Sequence, residues 1–233
     1  MERSEMKRRG SKIHLFIKTL IAFLLGLLVT SAMLFLPAGT LAYRGAWLFI
    51  ALLFVPILVV GVVLFFKNPE LLRKRLEMKE REKEQKSVVA LSGLLLVGSF
   101  IVAGLDYRLG WSHVSTIVVI IASTLLLVGY ALYAEVLREN VYLSRVVEVQ
   151  EGQHVIDTGL YGLVRHPMYF AVTLLYLAIP LVLGSWWALL IMSPCIFLLA
   201  VRIKNEEQVL HEGLSGYTEY TKRVRYRMIP WVW

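Results

Sequence analysis

Residues 159–187 read GLYGLVRHPMYFAVTLLYLAIPLVLGSWW. An Arg-His-Pro turn, Arg165 to Pro167, opens an apolar run, and Gly184-Ser185 interrupts it before a second run begins at Trp186. Proline suits the first turn of a helix, where its missing N–H costs nothing. Two short apolar helices joined by a Gly-Ser pair predict a tight antiparallel hairpin. The second arm, from Trp186 to Val201, ends in the polar cluster Arg202-Ile-Lys-Asn-Glu-Glu207. Arms of similar length bring that cluster back to the level of Arg165–Tyr169. Ions are poorly solvated beside hydrocarbon, so two charged clusters meeting at one end of a hairpin predict a site.

Working outward, the whole chain has the composition of a membrane protein. Of its 233 residues 58% are hydrophobic, with a mean hydropathy of +0.65. The apolar residues fall in blocks near the roughly 20 residues needed to cross a bilayer. Four precede the hairpin: about Ile13 to Leu36, Ala46 to Phe66, Val88 to Leu105 and Val114 to Leu137. The last two, Met168 to Leu183 and Trp186 to Val201, are the shortest and need not span fully. The expected fold class is all-α: one membrane domain of about six helices, ending in a tight hairpin and a C-terminal cytoplasmic helix. Residues 13–137 form its four-helix N-terminal part, and residues 138–233 form the part that carries the chemistry.

The net charge of +8 is a topology signal. Lys and Arg concentrate in the N-terminus (Arg3, Lys7, Arg8, Arg9, Lys12), in Lys67–Lys86, in Arg138–Arg165 and in the tail after Val201. The alternate connections offer only Arg44 and Arg108. Positive residues stay on the cytoplasmic side, so both termini and both long loops are expected there. This distribution excludes a nucleic-acid partner as the reason for the charge. The N-terminal apolar run is too long for the h-region of a signal peptide and reads as a retained helix.

Between the second and third blocks, Asn68-Pro69 reads as an N-cap followed by a first-position proline. An amphipathic or solvated helix over Glu70–Lys86 is expected to follow. After Val201, the apolar residues Val209, Leu210, Leu214, Tyr217 and Tyr220 recur at helical spacing between charges. They predict a helix along the membrane surface or capping the bundle.

Few residues carry chemistry. Cys195 stands alone in an apolar block, and no Cys or His set has metal-ligand spacing, so no metal is expected. Glycine-rich phosphate loops, HExxH and GxSxG are absent from the sequence. Two clusters remain. His166 falls near the N-cap of the first hairpin helix, with Arg165 just outside, and Tyr169 is three residues on and shares a face with His166. Arg202 and Glu206 are four apart on one face, whereas Glu207 is rotated by about 100°. Only one of the two glutamates therefore shares Arg202's direction. Read alone, Arg202–Glu206 is an i,i+4 surface ion pair of little value. The hairpin turns it into half of a site.

The sequence His154-Val-Ile-Asp-Thr-Gly-Leu-Tyr161, then Arg165-His-Pro-Met-Tyr169, then Arg202…Glu206-Glu207, then Tyr217…Tyr220…Val224…Ile229-Pro230 resembles the isoprenylcysteine carboxyl methyltransferase family. Phospholipid N-methyltransferases are among its wider relatives. The resemblance runs from about Val141 to the C-terminus, and earlier helices match in hydropathy alone. It implies S-adenosylmethionine (SAM) as methyl donor, bound by the last hairpin and its flanks. It implies that Gln153, His154, Val155 and Ile156 line the cofactor with Tyr161, His166, Pro167, Met168 and Tyr169. It implies that Glu206 holds the cofactor's amino group and that Arg202 faces the substrate, with Glu207 among the cofactor-binding residues and Arg165 among the catalytic ones. Ala171 stands where the family often has glycine and Leu160 where many members have proline; neither change removes a polar group.

The residue types suit that chemistry. Methyl transfer from a sulfonium is an in-line displacement, for which the protein positions donor and acceptor and excludes water. A carboxylate acceptor is already anionic and needs only a cation to orient it, a task for the planar fork of arginine. An amine acceptor must instead lose a proton to a base. The expected partners are thus a lipophilic or prenylated acceptor and membrane lipid. A phospholipid amine and a small hydrophobic thiol are the alternative acceptors. A transporter or scaffold is the rival class, and a transporter should carry ionisable groups at mid-bilayer. These apolar blocks are almost free of charge at their centres.

Overall fold

The computed structural model describes the backbone of residues 2–69, 72–73, 83–143 and 149–233, with side chains from residue 12 onward except 83–86. The helices are α1 (Glu2–Ala38), α2 (Arg44–Lys67), α3 (Lys83–Leu109), α4 (Thr116–Glu139), α5 (Pro167–Val182), α6 (Trp186–Met192), α7 (Cys195–Gly213) and α8 (Tyr217–Arg223). A 3-10 turn, Gly159–Gly162, precedes α5. No strand occurs among the described residues. Most of the expected helix over Glu70–Lys86 lies outside them; Leu72 and Arg73 are helical, and Leu72 is buried.

Lys12–Ala38, Arg44–Lys67, Ser87–Leu109, Thr116–Glu139 and the stretch Trp186–Gly213 are long and apolar enough to cross a bilayer. Their apolar side chains point outward: Leu28, Ile117 and Phe197 are all exposed. In hydrocarbon the helix is the segment that satisfies its own backbone, so an outward apolar face is the stable arrangement. The chain is an all-helical, multi-pass integral membrane bundle. Helix α5, with 16 residues, reaches about 24 Å at 1.5 Å per residue, short of a hydrocarbon core of about 30 Å.

The core is knitted where small residues let helices approach. A Cβ on Gly104 would stand 2.7 Å from the Leu34 carbonyl, and one on Gly45 would stand 2.8 Å from the Leu183 carbonyl. Without a strong hydrophobic drive between helices in lipid, close backbone contact and interhelical hydrogen bonds carry the packing. The Tyr43 hydroxyl donates to Leu183 O at 2.6 Å and the Ser99 hydroxyl to Ala188 O at 3.1 Å. Asp106, at the end of α3, is almost fully buried. Its carboxylate accepts from the Ser112 amide at 2.7 Å, the Ser112 hydroxyl at 2.6 Å and the Ser185 hydroxyl. This latch fixes the Gly184-Ser185 turn to the α3–α4 connection and so sets where the hairpin stands.

The hairpin differs from its expected form. Its first arm is α5, which begins at Pro167 as predicted. Its second arm is broken. Helix α6 ends at Met192, Ser193-Pro194 intervenes, and α7 starts at Cys195. Proline cannot donate to the helical ladder, and a break of this kind is its ordinary effect. Helix α7 then runs past Val201 without interruption to Gly213, so the polar cluster sits in mid-helix. The tail also folds differently from one continuous helix. Gly216 adopts φ 82°, a left-handed conformation that glycine tolerates, and there the chain turns into α8.

Candidate functional site

Three segments meet at the N-terminal end of α5. His166 is its N-cap residue, with φ −126°, and Pro167 is the first helical position. The C-terminal segment runs alongside and pins this turn: the Arg165 amide donates to Tyr226 O at 3.0 Å and the His166 amide to Arg227 O at 2.7 Å. The third segment is α7, which supplies Arg202, Glu206 and Glu207.

The two glutamates divide the polar contacts. Glu207 is buried. Its Oε1 accepts from Arg165 Nε at 2.7 Å and lies 3.4 Å from His166 Nε2, while its Oε2 accepts from Arg227 Nε at 2.6 Å. Arg165 Nη1 donates to the carbonyls of Val224 and Arg225 at 2.9 and 2.8 Å. The Arg227 guanidinium lies 5.3 Å from the Trp233 ring centroid, a cation–π distance. One carboxylate thus ties the start of α5, the middle of α7 and the C-terminal segment together.

Glu206 faces elsewhere. Its Oε2 accepts from the Tyr169 hydroxyl at 2.5 Å, and that hydroxyl accepts from Arg202 Nε at 3.0 Å. Its Oε1 lies 3.9 Å from His166 Nδ1. His166 therefore stands between the glutamates, one ring nitrogen toward each. The Glu206 side chain keeps 27% of its surface exposed, in contrast to 7% for Glu207. That exposed part opens onto a cavity with about 850 Å³ of space between the atoms, part of it open to solvent.

Of the residues expected at the site, Gln153, His154, Val155, Ile156, Tyr161, Arg165, His166, Met168, Tyr169, Arg202 and Glu206 all line this cavity. Pro167 and Glu207 do not appear on its wall. Pro167 is buried as the helix start, and Glu207 is engaged by its two arginines. Arg165 reaches the wall, but its Nε and Nη1 are committed to Glu207 and to carbonyls, an arrangement suited to holding the site together.

The cavity is also lined by residues that motif reasoning left out of the site. Asn140 Nδ2 donates to the Tyr161 hydroxyl at 2.9 Å, and the Tyr220 hydroxyl donates to Tyr161 O at 2.7 Å. Burial pushes the Tyr161 phenol up to about 12, so it stays neutral. Tyr142 bridges to Gly152 O at 3.1 Å and to His154 Nδ1 at 3.0 Å. Leu210, Leu214, Tyr217 and Tyr220 supply an apolar and aromatic face. Their helical spacing marked a packed surface; Leu210 and Leu214 come from α7 and its end, and the turn at Gly216 leads into α8, which adds Tyr217 and Tyr220. Among the described residues no group of three or more His, Cys, Asp or Glu could hold a metal ion.

The cavity combines an open carboxylate, an arginine and a belt of tyrosines at the end of a membrane hairpin. Residues 117–215 match the model of the phospholipid methyltransferase family. The matched stretch is less than half of the chain, from the first turn of α4 to just beyond α7, and contains both charged clusters. That family is one of methyltransferases and is related to the isoprenylcysteine carboxyl methyltransferases. None of the curated proteins matches the chain.

Proposed function

We propose that the protein is a SAM-dependent methyltransferase that acts on a lipophilic acceptor at the cytoplasmic edge of the membrane. The observation that carries this reading is the Arg202–Tyr169–Glu206 chain of hydrogen bonds on the wall of a cavity between the start of α5 and the polar middle of α7. Bound SAM would supply an electrophilic methyl group on a sulfonium. The residues present fit such a ligand. The partly open Glu206 carboxylate suits its amino group, and Val155, Ile156 and Leu210 suit its apolar surfaces. A buried Tyr217 hydroxyl, from a residue that lines the same cavity, has no protein partner.

Each residue then has a task. Glu206 holds the ligand's positive charge, and Tyr169 fixes the rotamer of Glu206 through a short hydrogen bond. Arg202, tied to the same hydroxyl, keeps its charge beside the place where an acceptor would enter. Glu207, Arg165 and Arg227 position α5, α7 and the C-terminal segment around them. Water exclusion comes from the tyrosine wall.

The finer reading is an isoprenylcysteine carboxylate as acceptor, because a guanidinium orients a carboxylate and no base is then required. A phospholipid amine is the second reading, favoured by the family match over residues 117–215. Purified protein incubated with radiolabelled SAM and either a prenylcysteine analogue or phosphatidylethanolamine vesicles tests both. Label in the prenylcysteine ester supports the first. Label in the phospholipid supports the second. Label in neither, or in a small volatile thioether, defeats both acceptor assignments.

A further inference from the structure

Tyr217 lies on α8 and is 4% exposed, yet it lines the cavity. Among the described residues its hydroxyl is the one buried side-chain polar atom with no hydrogen-bond partner. Tyr220, one turn on, shows the ordinary condition: its hydroxyl donates to Tyr161 O at 2.7 Å. Leaving a buried hydroxyl unpaired is costly, and native proteins rarely do it without reason. The two nearby carboxylates do not accept from it. Glu207 is held by Arg165 and Arg227, and Glu206 Oε2 by Tyr169.

The hydroxyl is a donor. Burial first, and then the nearby Glu207 charge, hold its proton well above the usual tyrosine range. It also feels the charges of Arg165 and Glu206. On the methyltransferase reading, Glu206 takes the ligand's ammonium. In an α-amino acid the carboxylate hangs from the same carbon, so it must enter the same polar end of the cavity. There it needs a hydrogen-bond donor to face it.

We propose that the Tyr217 hydroxyl donates a hydrogen bond to the carboxylate of the bound SAM amino-acid moiety, with the Arg165 charge behind it. Tyr217 is thereby a specificity determinant for the intact amino-acid end of the cofactor. The inference rests on the proposed function and lies outside the stretch that matches the family.

Calorimetry on the full chain in detergent tests it, with SAM and decarboxylated SAM as probes and wild type, Tyr217→Phe and Tyr220→Phe as proteins. Wild type should bind decarboxylated SAM about 10-fold more weakly than SAM, equivalent to about 1.4 kcal/mol. Tyr217→Phe should weaken SAM about 10-fold and leave decarboxylated SAM within about 2-fold of wild type. Without ligand, Tyr217→Phe should melt at or above wild type, because it removes an unpaired group, whereas Tyr220→Phe should melt lower. Equal losses for the two ligands would mean that the hydroxyl touches another part of the cofactor, and would overturn the assignment. A ligand-free Tyr217→Phe protein that melts lower or fails to fold would overturn it too, by showing a partner within the protein. If wild type binds neither probe, the methyltransferase reading fails first and the inference falls with it.

Discussion

Glu206 and Glu207 are consecutive residues that flank one histidine ring: Glu207 Oε1 lies 3.4 Å from His166 Nε2, and Glu206 Oε1 lies 3.9 Å from His166 Nδ1. The first carboxylate opens onto the cavity and the second is locked between arginines. Their roles should separate on mutation. Glu207→Ala leaves the buried Arg165 charge uncompensated, and breaking one side of a buried pair costs roughly 3–5 kcal/mol. It should lower the melting temperature of the protein in detergent. Glu206→Ala should lower it less, because that side chain is partly exposed and loses only the Tyr169 hydrogen bond. Equal melts for the two variants would refute the division.

Tyr169 joins Arg202 to Glu206 through one hydroxyl. Tyr169→Phe keeps the ring packing and removes both bonds. Hydrogen bonds to charged groups are worth roughly 1.5–3 kcal/mol, so kcat/KM should fall about 10-fold or more. Wild-type kinetics in this variant would show that the bridge has no part in turnover.

Arg202→Lys retains charge and discards the planar fork. Turnover should drop by at least ~10-fold, about 1.4 kcal/mol of transition-state stabilisation, while SAM affinity stays nearly constant. Lost SAM binding with normal turnover at saturating SAM would move Arg202 to the cofactor side.

The proposed orientation follows from the distribution of Lys and Arg. Ser87→Cys should react with a membrane-impermeant thiol reagent from the cytoplasmic face, and Thr40→Cys from the opposite face. Cys195 is fully buried and should stay silent. Labelling of Ser87→Cys from outside intact cells would invert the topology.

Much of this architecture is legible in the sequence because lipid makes hydropathy a strong constraint: the apolar blocks, the Pro167 helix start and the return of α7 to the level of Tyr169 all follow from it. The rotation between consecutive helical residues anticipates that Arg202 shares its direction with only one glutamate, and Glu206 is the one that joins it on Tyr169. What was not legible depends on distant partners. Asp106 carries no motif, and its value lies in Ser112 and Ser185. Glu207 reads as a ligand group until Arg227 is brought to it by the C-terminal segment. The break at Ser193-Pro194 was hidden inside a run whose hydrophobicity continues on both sides. Tyr217 and Tyr220 have the same spacing signal, and only their surroundings separate a satisfied hydroxyl from an unpaired one.

The central claim is that this cavity holds SAM through Glu206 and the His166 turn. Calorimetric titration of SAM into purified wild type, Glu206→Ala and His166→Ala is the most direct measurement. The account predicts saturable one-site binding to wild type and at least ~10-fold weaker binding to each variant, about 1.4 kcal/mol, with all three proteins folded. Wild-type affinity in both variants would contradict the site, and no binding to wild type would contradict the function.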